Sequence, residues 1–209
     1  MHGLREQTAL TVAICAASVT GCVVGEHAVV AGSARDVMDA AVADNDGDKT
    51  PPGDIAYARL ADVRDFRPFP AEDDPLASHQ PANIQCVDSA FVTEYGGLEI
   101  DTGLCNYVLA ATPSLRDVAK GAWVHLDFVH YDLAAPAPAE AHVALLFADE
   151  LQWEERIPVP SAGARVEATF RAKSALVAGD MVRIHLHNHG GNTYLLTRLE
   201  VEAGSAASP

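Results

Sequence analysis

From Asn83 onward the chain is cut into short runs of alternating apolar and polar residues by Gly, Pro and Asp, and this spacing most narrows the folds open to it. Strands are predicted at 85–93, 98–100, 107–111, 122–131, 142–147, 152–157, 165–171, 181–188 and 193–202. The breaks Tyr95-Gly96-Gly97, Gly179-Asp180 and Gly190-Gly191-Asn192 supply the residues that tight turns demand. A sustained 3.6-residue period is almost absent. The expected fold is therefore all-β, an antiparallel β-sandwich of jelly-roll kind over residues 82–203, with a disordered tail over 204–209.

The N-terminus has a different texture. One arginine, Arg5, precedes an apolar stretch from Ala9 to Ala17, and small residues lead to Cys22. This is the layout of an export signal, here residues 1–21, and its apolar part is too short to span a bilayer. Val19-Thr20-Gly21-Cys22 resembles the lipobox of bacterial lipoproteins. The resemblance implies that Cys22 becomes the acylated N-terminus and that the protein partners a membrane through its lipid. Val23, where an aspartate would favour the inner membrane, implies the outer membrane or cell surface.

Cysteine usage agrees with export. Cys15 lies in the signal and Cys22 is the lipid site, which leaves Cys86 and Cys105 to pair in an oxidising compartment. The loop such a bond closes is worth about 3 kcal/mol in the chain-entropy account.

Between them, residues 22–81 read as a tether, largely disordered. From Asp36 to Asp74 there are eleven acids against four bases, with prolines at 51, 52, 68, 70, 75 and 81. Such a stretch buries too little apolar surface to offset its ordering entropy, and its charge extends it. Transient helix is expected at most over 34–43 and 54–66. Asp44-Asn45-Asp46-Gly47-Asp48 suggests a calcium loop, but Lys49 and Ile55 stand where an EF-hand needs Gly and Glu. The whole chain carries 29 acids against 14 bases, a formal charge of −15, and no basic patch, which excludes a nucleic-acid partner.

Two constellations carry chemistry. In His185-Leu186-His187-Asn188-His189, period two sends Val182, Ile184 and Leu186 to the core and Arg183, His185 and His187 to solvent or a concave face. A zinc or copper ion would take His185, His187 and one of His125 or His142. His130 falls on the core-facing register of its strand. No cofactor beyond such a metal is implied.

The second constellation suits a sugar, whose faces are apolar and whose rim is hydroxyls. Trp123, Asp127 and Tyr131 share a strand face, and Arg183, Asn188 and Tyr194 follow on the last hairpin. That hairpin, residues 179–202, resembles the closing strands of galactose-binding-like and other carbohydrate-binding sandwiches. No nucleophile elbow, zinc-protease motif or phosphate loop is present, and Asp101-Thr102-Gly103 occurs once, so it reads as a turn. The expectation is a lipid-anchored, extracytoplasmic, non-catalytic module that binds carbohydrate or another surface ligand. A histidine metal domain of storage, sensing or catalytic type is the alternative, and a structural surface lipoprotein without ligand is the third.

Overall fold

The computed structural model describes residues 53–204. The signal, Cys22, the acidic loop at 44–48, the helix expected over 34–43 and the tail beyond Gly204 lie outside the described residues. Eleven strands occur within them and no α-helix. The strands are β1 (Tyr57–Arg59), β2 (Arg67–Phe69), β3 (Phe91–Glu94), β4 (Gly97–Asp101), β5 (Tyr107–Pro113), β6 (Trp123–His130), β7 (Ala139–Phe147), β8 (Glu150–Val159), β9 (Ala164–Arg171), β10 (Met181–His187) and β11 (Thr193–Glu202). They form two antiparallel sheets. One has the order β3-β4-β11-β6-β9, with β1 also on β11; the other runs β2-β5-β10-β7-β8.

The β-sandwich expected from the sequence is thus the observed fold, and alternation explains it strand by strand. Val182, Ile184 and Leu186 of β10 face Leu126, Phe128, Tyr194 and Leu196 of the opposite sheet across the core. In β11 the register on β6 shifts between Leu196 and Arg198. This bulge lets Leu199 and Val201 rejoin the core after Thr197. Gly97 is required where β4 meets β11, since a Cβ there would collide with the Leu196 carbonyl. Cys86 and Cys105 are disulfide-bonded across an isolated antiparallel bridge, their Cα atoms 3.9 Å apart.

The start of the folded domain has to be corrected. Residues 57–80, assigned to the tether, belong to the sandwich. β1 pairs with the last residues of β11, and β2 pairs with β5. Leu60, Val63 and Phe66 sit in the core with exposures of 0%, 6% and 0%. The helix expected over 54–66 is instead β1 followed by a 3-10 turn, Val63–Asp65. Asp62 caps that turn through the Arg64 N–H, and its carboxylate also takes the guanidinium groups of Arg59 and Arg64 at 3.1 and 2.6 Å. Two of this segment's acids, Asp62 and Asp74, are thus held by specific partners, while Asp65, Glu72 and Asp73 stay exposed, which is how an acidic stretch can fold.

Candidate functional site

The outer face of the six-stranded sheet carries the row anticipated on β6, but packed differently. Trp123 is 1% exposed, with the Arg171 guanidinium 3.9 Å above its ring. It is a covered side chain and offers no platform to a sugar. His125 bonds Thr169 Oγ1 at 3.0 Å and packs beside Tyr57 at 5.9 Å, and burial lowers its pKa. Asp127, 3% exposed, accepts the Arg165 Nε–H at 3.0 Å, with Arg198 at 3.7 Å. The bond from Arg165 holds the Asp127 carboxyl below the ordinary range.

Tyr131 alone of the six expected ligand contacts is exposed, at 47%. It lines an open recess of about 590 Å³ with Asp132, Gly163 and Arg165 at the ends of β6 and β9. A volume of this order accommodates a small ligand, in the usual range of roughly 300–1,000 Å³. The void between the sheets, about 30 Å³ and lined by aliphatic and aromatic side chains, does not.

A second exposed tyrosine, absent from the sequence-based ligand set, stands elsewhere on the same sheet. Tyr95 is 78% exposed at the tip of the β3–β4 hairpin, where Tyr95 and Gly96 have φ of 48° and 78°. Two left-handed residues make a type I′ turn, which favours Asn-Gly; a tyrosine at its first position is strained. Its hydroxyl pKa is raised, first by the charge of Glu94 and its hydrogen bond, then by Tyr131 and, further down the order, Glu99. Glu99 lies on the same outward face, and burial followed by its hydrogen bond with Glu94 raises its carboxyl. The signal is in the sequence: Tyr95-Gly96-Gly97 reads as a turn, and an aromatic in a two-residue turn has no core to enter.

The histidines require a second correction. His185, His187 and His142 lie on the outer face of the five-stranded sheet as period two demands, yet their exposures are 0%, 8% and 3%. They do not face solvent, because residues 70–80 bring Asp74 onto this face. Asp74 Oδ2 accepts from His185 Nδ1 at 2.7 Å and from the Tyr107 hydroxyl at 2.8 Å, while Oδ1 takes the Leu76 N–H at 2.8 Å. Burial alone would raise this carboxyl; the His185 bond and charge, with the Leu76 and Tyr107 bonds, bring it below its usual value. Burial pushes the Tyr107 hydroxyl up, helped by Asp74. The His142 ring lies 4.7 Å from that of His185, and its Nε2 meets Glu154 at 2.8 Å. Burial lowers the His142 pKa, and His185 lowers it further.

His125 sits on the other sheet, so the four expected ligands do not converge. Among the described residues no group of three or more His, Cys, Asp or Glu side chains is arranged to hold a metal ion.

The remaining expected contacts are structural. Arg183 pairs with Asp149 and lies over the Phe69 ring at 4.9 Å. Asn188 Nδ2 donates to Thr102 Oγ1 at 2.8 Å, and its Oδ1 accepts from the Tyr194 hydroxyl at 3.0 Å. Thr102 Oγ1 also donates to the Asn192 carbonyl at 2.8 Å, so the Asp-Thr-Gly turn is knotted to the 188–192 turn. His130 is buried, as its register predicted, beside Tyr194 at 6.1 Å.

No protein-family model matches the chain, and no curated protein matches it. Solved structures do. One described as "CBM4 structure and function" is 13% identical over 54% of this chain and 87% of its own, with a TM-score of 0.38. A family 29 carbohydrate-binding module, CBM29-2, is 14% identical over 74% and 99%, also at 0.38. The N-terminal cellulose-binding domain of Cellulomonas fimi β-1,4-glucanase C is 16% identical over 54% and 80%, at 0.35. At these identities and scores the likeness concerns the sandwich and assigns this chain no ligand.

Proposed function

We propose that this chain is a non-catalytic binding module, held at the outer membrane or cell surface by acylated Cys22, that captures carbohydrate on the outer face of its six-stranded sheet. The observation that carries this is exposed Tyr131 on the wall of an open recess, with a second exposed tyrosine, Tyr95, at the β3–β4 hairpin of the same sheet. Aromatic rings give a sugar's apolar face something to stack on, and Asp132, Arg165 and Glu99 supply bonds for its hydroxyls. Strain at Tyr95 supports the same reading, because a side chain kept in an unfavourable backbone conformation at a solvent-facing tip is not serving the core.

Affinity electrophoresis through gels containing soluble polysaccharides tests it. The protein is expected to be retarded by at least one polymer, and Tyr131→Ala and Tyr95→Ala each to weaken capture by about tenfold, which corresponds to ~1.4 kcal/mol. Mobility unchanged in every polymer, or retardation that survives both substitutions, would reject the reading. The anchor is tested separately: Cys22→Ser is expected to move the protein from the membrane to the soluble fraction.

A further inference from the structure

We propose that the pole built from residues 114–122 and 172–180 rests on an anionic lipid surface, with Leu115 and Val177 entering the interface and Arg116, Lys120 and Lys173 meeting the headgroups. The inference concerns a different surface from the tyrosine face and rests on the reading above only through its lipid anchor.

These two segments join β5 to β6 and β9 to β10, and both cross from one sheet to the other at the same end of the sandwich. They run side by side. The Gly179 N–H donates to the Ser114 carbonyl at 3.0 Å, Val118 and Leu176 exchange backbone bonds of 2.8 and 2.9 Å, and the Gly121 N–H reaches the Ala172 carbonyl at 2.8 Å. A cross-tied pair of loops holds its side chains in fixed positions. Yet Leu115 and Val177 are 55% and 62% exposed. A lone exposed apolar residue needs no explanation. These two belong to segments clamped directly together, since Ser114 Oγ donates to the Val177 carbonyl at 2.9 Å.

Charge complements them. Lys120 and Lys173 are exposed where the segments meet the six-stranded sheet, and Arg116 is half-buried with its Nε–H on the Arg59 carbonyl at 2.8 Å. The acids of the same segments are exposed but each is engaged by backbone: Asp117 accepts the Ala178 N–H at 2.7 Å and Asp180 the Val177 N–H at 3.1 Å. Neighbouring Asp149 is paired with Arg183, and Glu202 accepts the Trp123 N–H at 3.3 Å. In a chain with twice as many acids as bases, two loops with three cations and two acids are richer in positive charge than the rest of the surface, although exposed Glu150 adjoins them.

The end of the sandwich at which the described chain begins favours a bilayer as the occupant. Tyr57 pairs with Glu202, and the Ala203 N–H donates to the Ala56 carbonyl at 2.7 Å, so the backbone leading toward Cys22 leaves the sandwich at this pole. A bilayer that holds Cys22 is connected by the chain to this end of the sandwich, so contact of these loops with it becomes effectively intramolecular. Lipid anchors commonly act with a second, basic signal.

The full chain with Cys22→Ser, which removes the acyl chains from the measurement, is floated with vesicles of phosphatidylglycerol and phosphatidylethanolamine and, in parallel, of phosphatidylcholine. Binding to the anionic vesicles alone is expected, falling about fivefold for each of Lys120→Glu and Lys173→Glu and weakening with salt. Leu115→Asp with Val177→Asp is expected to abolish it; both positions are exposed, so an unchanged circular dichroism melt confirms that the fold is intact. No preference for anionic lipid, or undiminished binding by the Leu115→Asp/Val177→Asp variant, overturns the proposal. The mass of the wild-type chain extracted from cells reports acylation of Cys22 independently, so failure of the anchor and failure of the pole are told apart.

Discussion

Single residues separate the proposed binding face from the scaffold. Trp123, by its spacing the natural sugar platform, is a structural residue: with its ring buried under Arg171, Trp123→Ala is expected to cost about 3–5 kcal/mol in urea unfolding. Capture by the protein that remains folded is expected to be unchanged. Tyr95 predicts the opposite pairing. Asn tolerates a positive φ far better than Tyr, so Tyr95→Asn is expected to raise stability by about 1 kcal/mol while reducing polysaccharide retardation. A Tyr95→Asn variant that loses stability would show that the ring is packed rather than presented. The contrast marks what periodicity can tell. It placed Trp123, His125 and Asp127 on one outward face correctly, but outward is not exposed. What covers that face, Arg165, Arg171, Arg198 and Tyr57, comes from neighbouring strands that period two within β6 cannot see.

At the level of elements, β5 to β11 were legible because each repeats at least three apolar positions at period two, and β4 because Leu98 and Ile100 alternate between Gly97 and Asp101. β1 and β2 were not. Each is three residues long, β2 contains Pro68, and the segment around them is acidic, which in isolation argues for a solvated chain. Pro68 is tolerated because β2 is an edge strand that pairs with β5 alone. The missed strands also explain the misjudged histidines, since Asp74, which takes His185, arrives on the segment that follows β2. The disulfide was legible from compartment and count, and its consequence is local. Cys86→Ser with Cys105→Ser reopens the loop between those positions and is expected to lower stability by about 3 kcal/mol without altering the sheets. A melt of the reduced wild type matching that of the double variant would support the magnitude.

For the whole molecule, the corrected start of the domain gives a size test. A fragment of residues 82–209 lacks Leu60, Val63 and Phe66 from the core. Each fully buried apolar side chain contributes roughly 1.5–3 kcal/mol, so the loss is comparable to the roughly 5–15 kcal/mol that holds a domain folded. This fragment is expected to give a poorly dispersed amide spectrum, and one of residues 53–209 a well dispersed one.

Acidity acts on the same joint. The Asp74 and Asp127 carboxyls are lowered in the folded state, so the stability they give is present above their ordinary value of 3.8 and is lost as pH falls through the folded values. His142 is also lowered, from 6.5, and its neutral form is the one the fold buries, so its contribution is full above pH 6.5 and declines below it. Glu99 has the opposite sign: its carboxyl is raised from 4.5, so the stability it gives is present below that value and is lost as pH rises through the folded one. Asp62 and His125 are lowered as well and Glu155 is raised, so groups stabilising at higher pH outnumber the two raised carboxyls; of them, Asp74 and His142 lie where residues 70–80 meet the five-stranded sheet. Melting temperature is therefore expected to be higher at pH 7.5 than at pH 5.5 and to fall again below pH 4. His142→Gln is expected to shrink the first step and Asp74→Asn the second, with His125 and Asp127 keeping the remainder. A melting temperature that is flat, or higher at pH 5.5, would show that burial of these groups is offset elsewhere and that residues 70–80 do not depend on them.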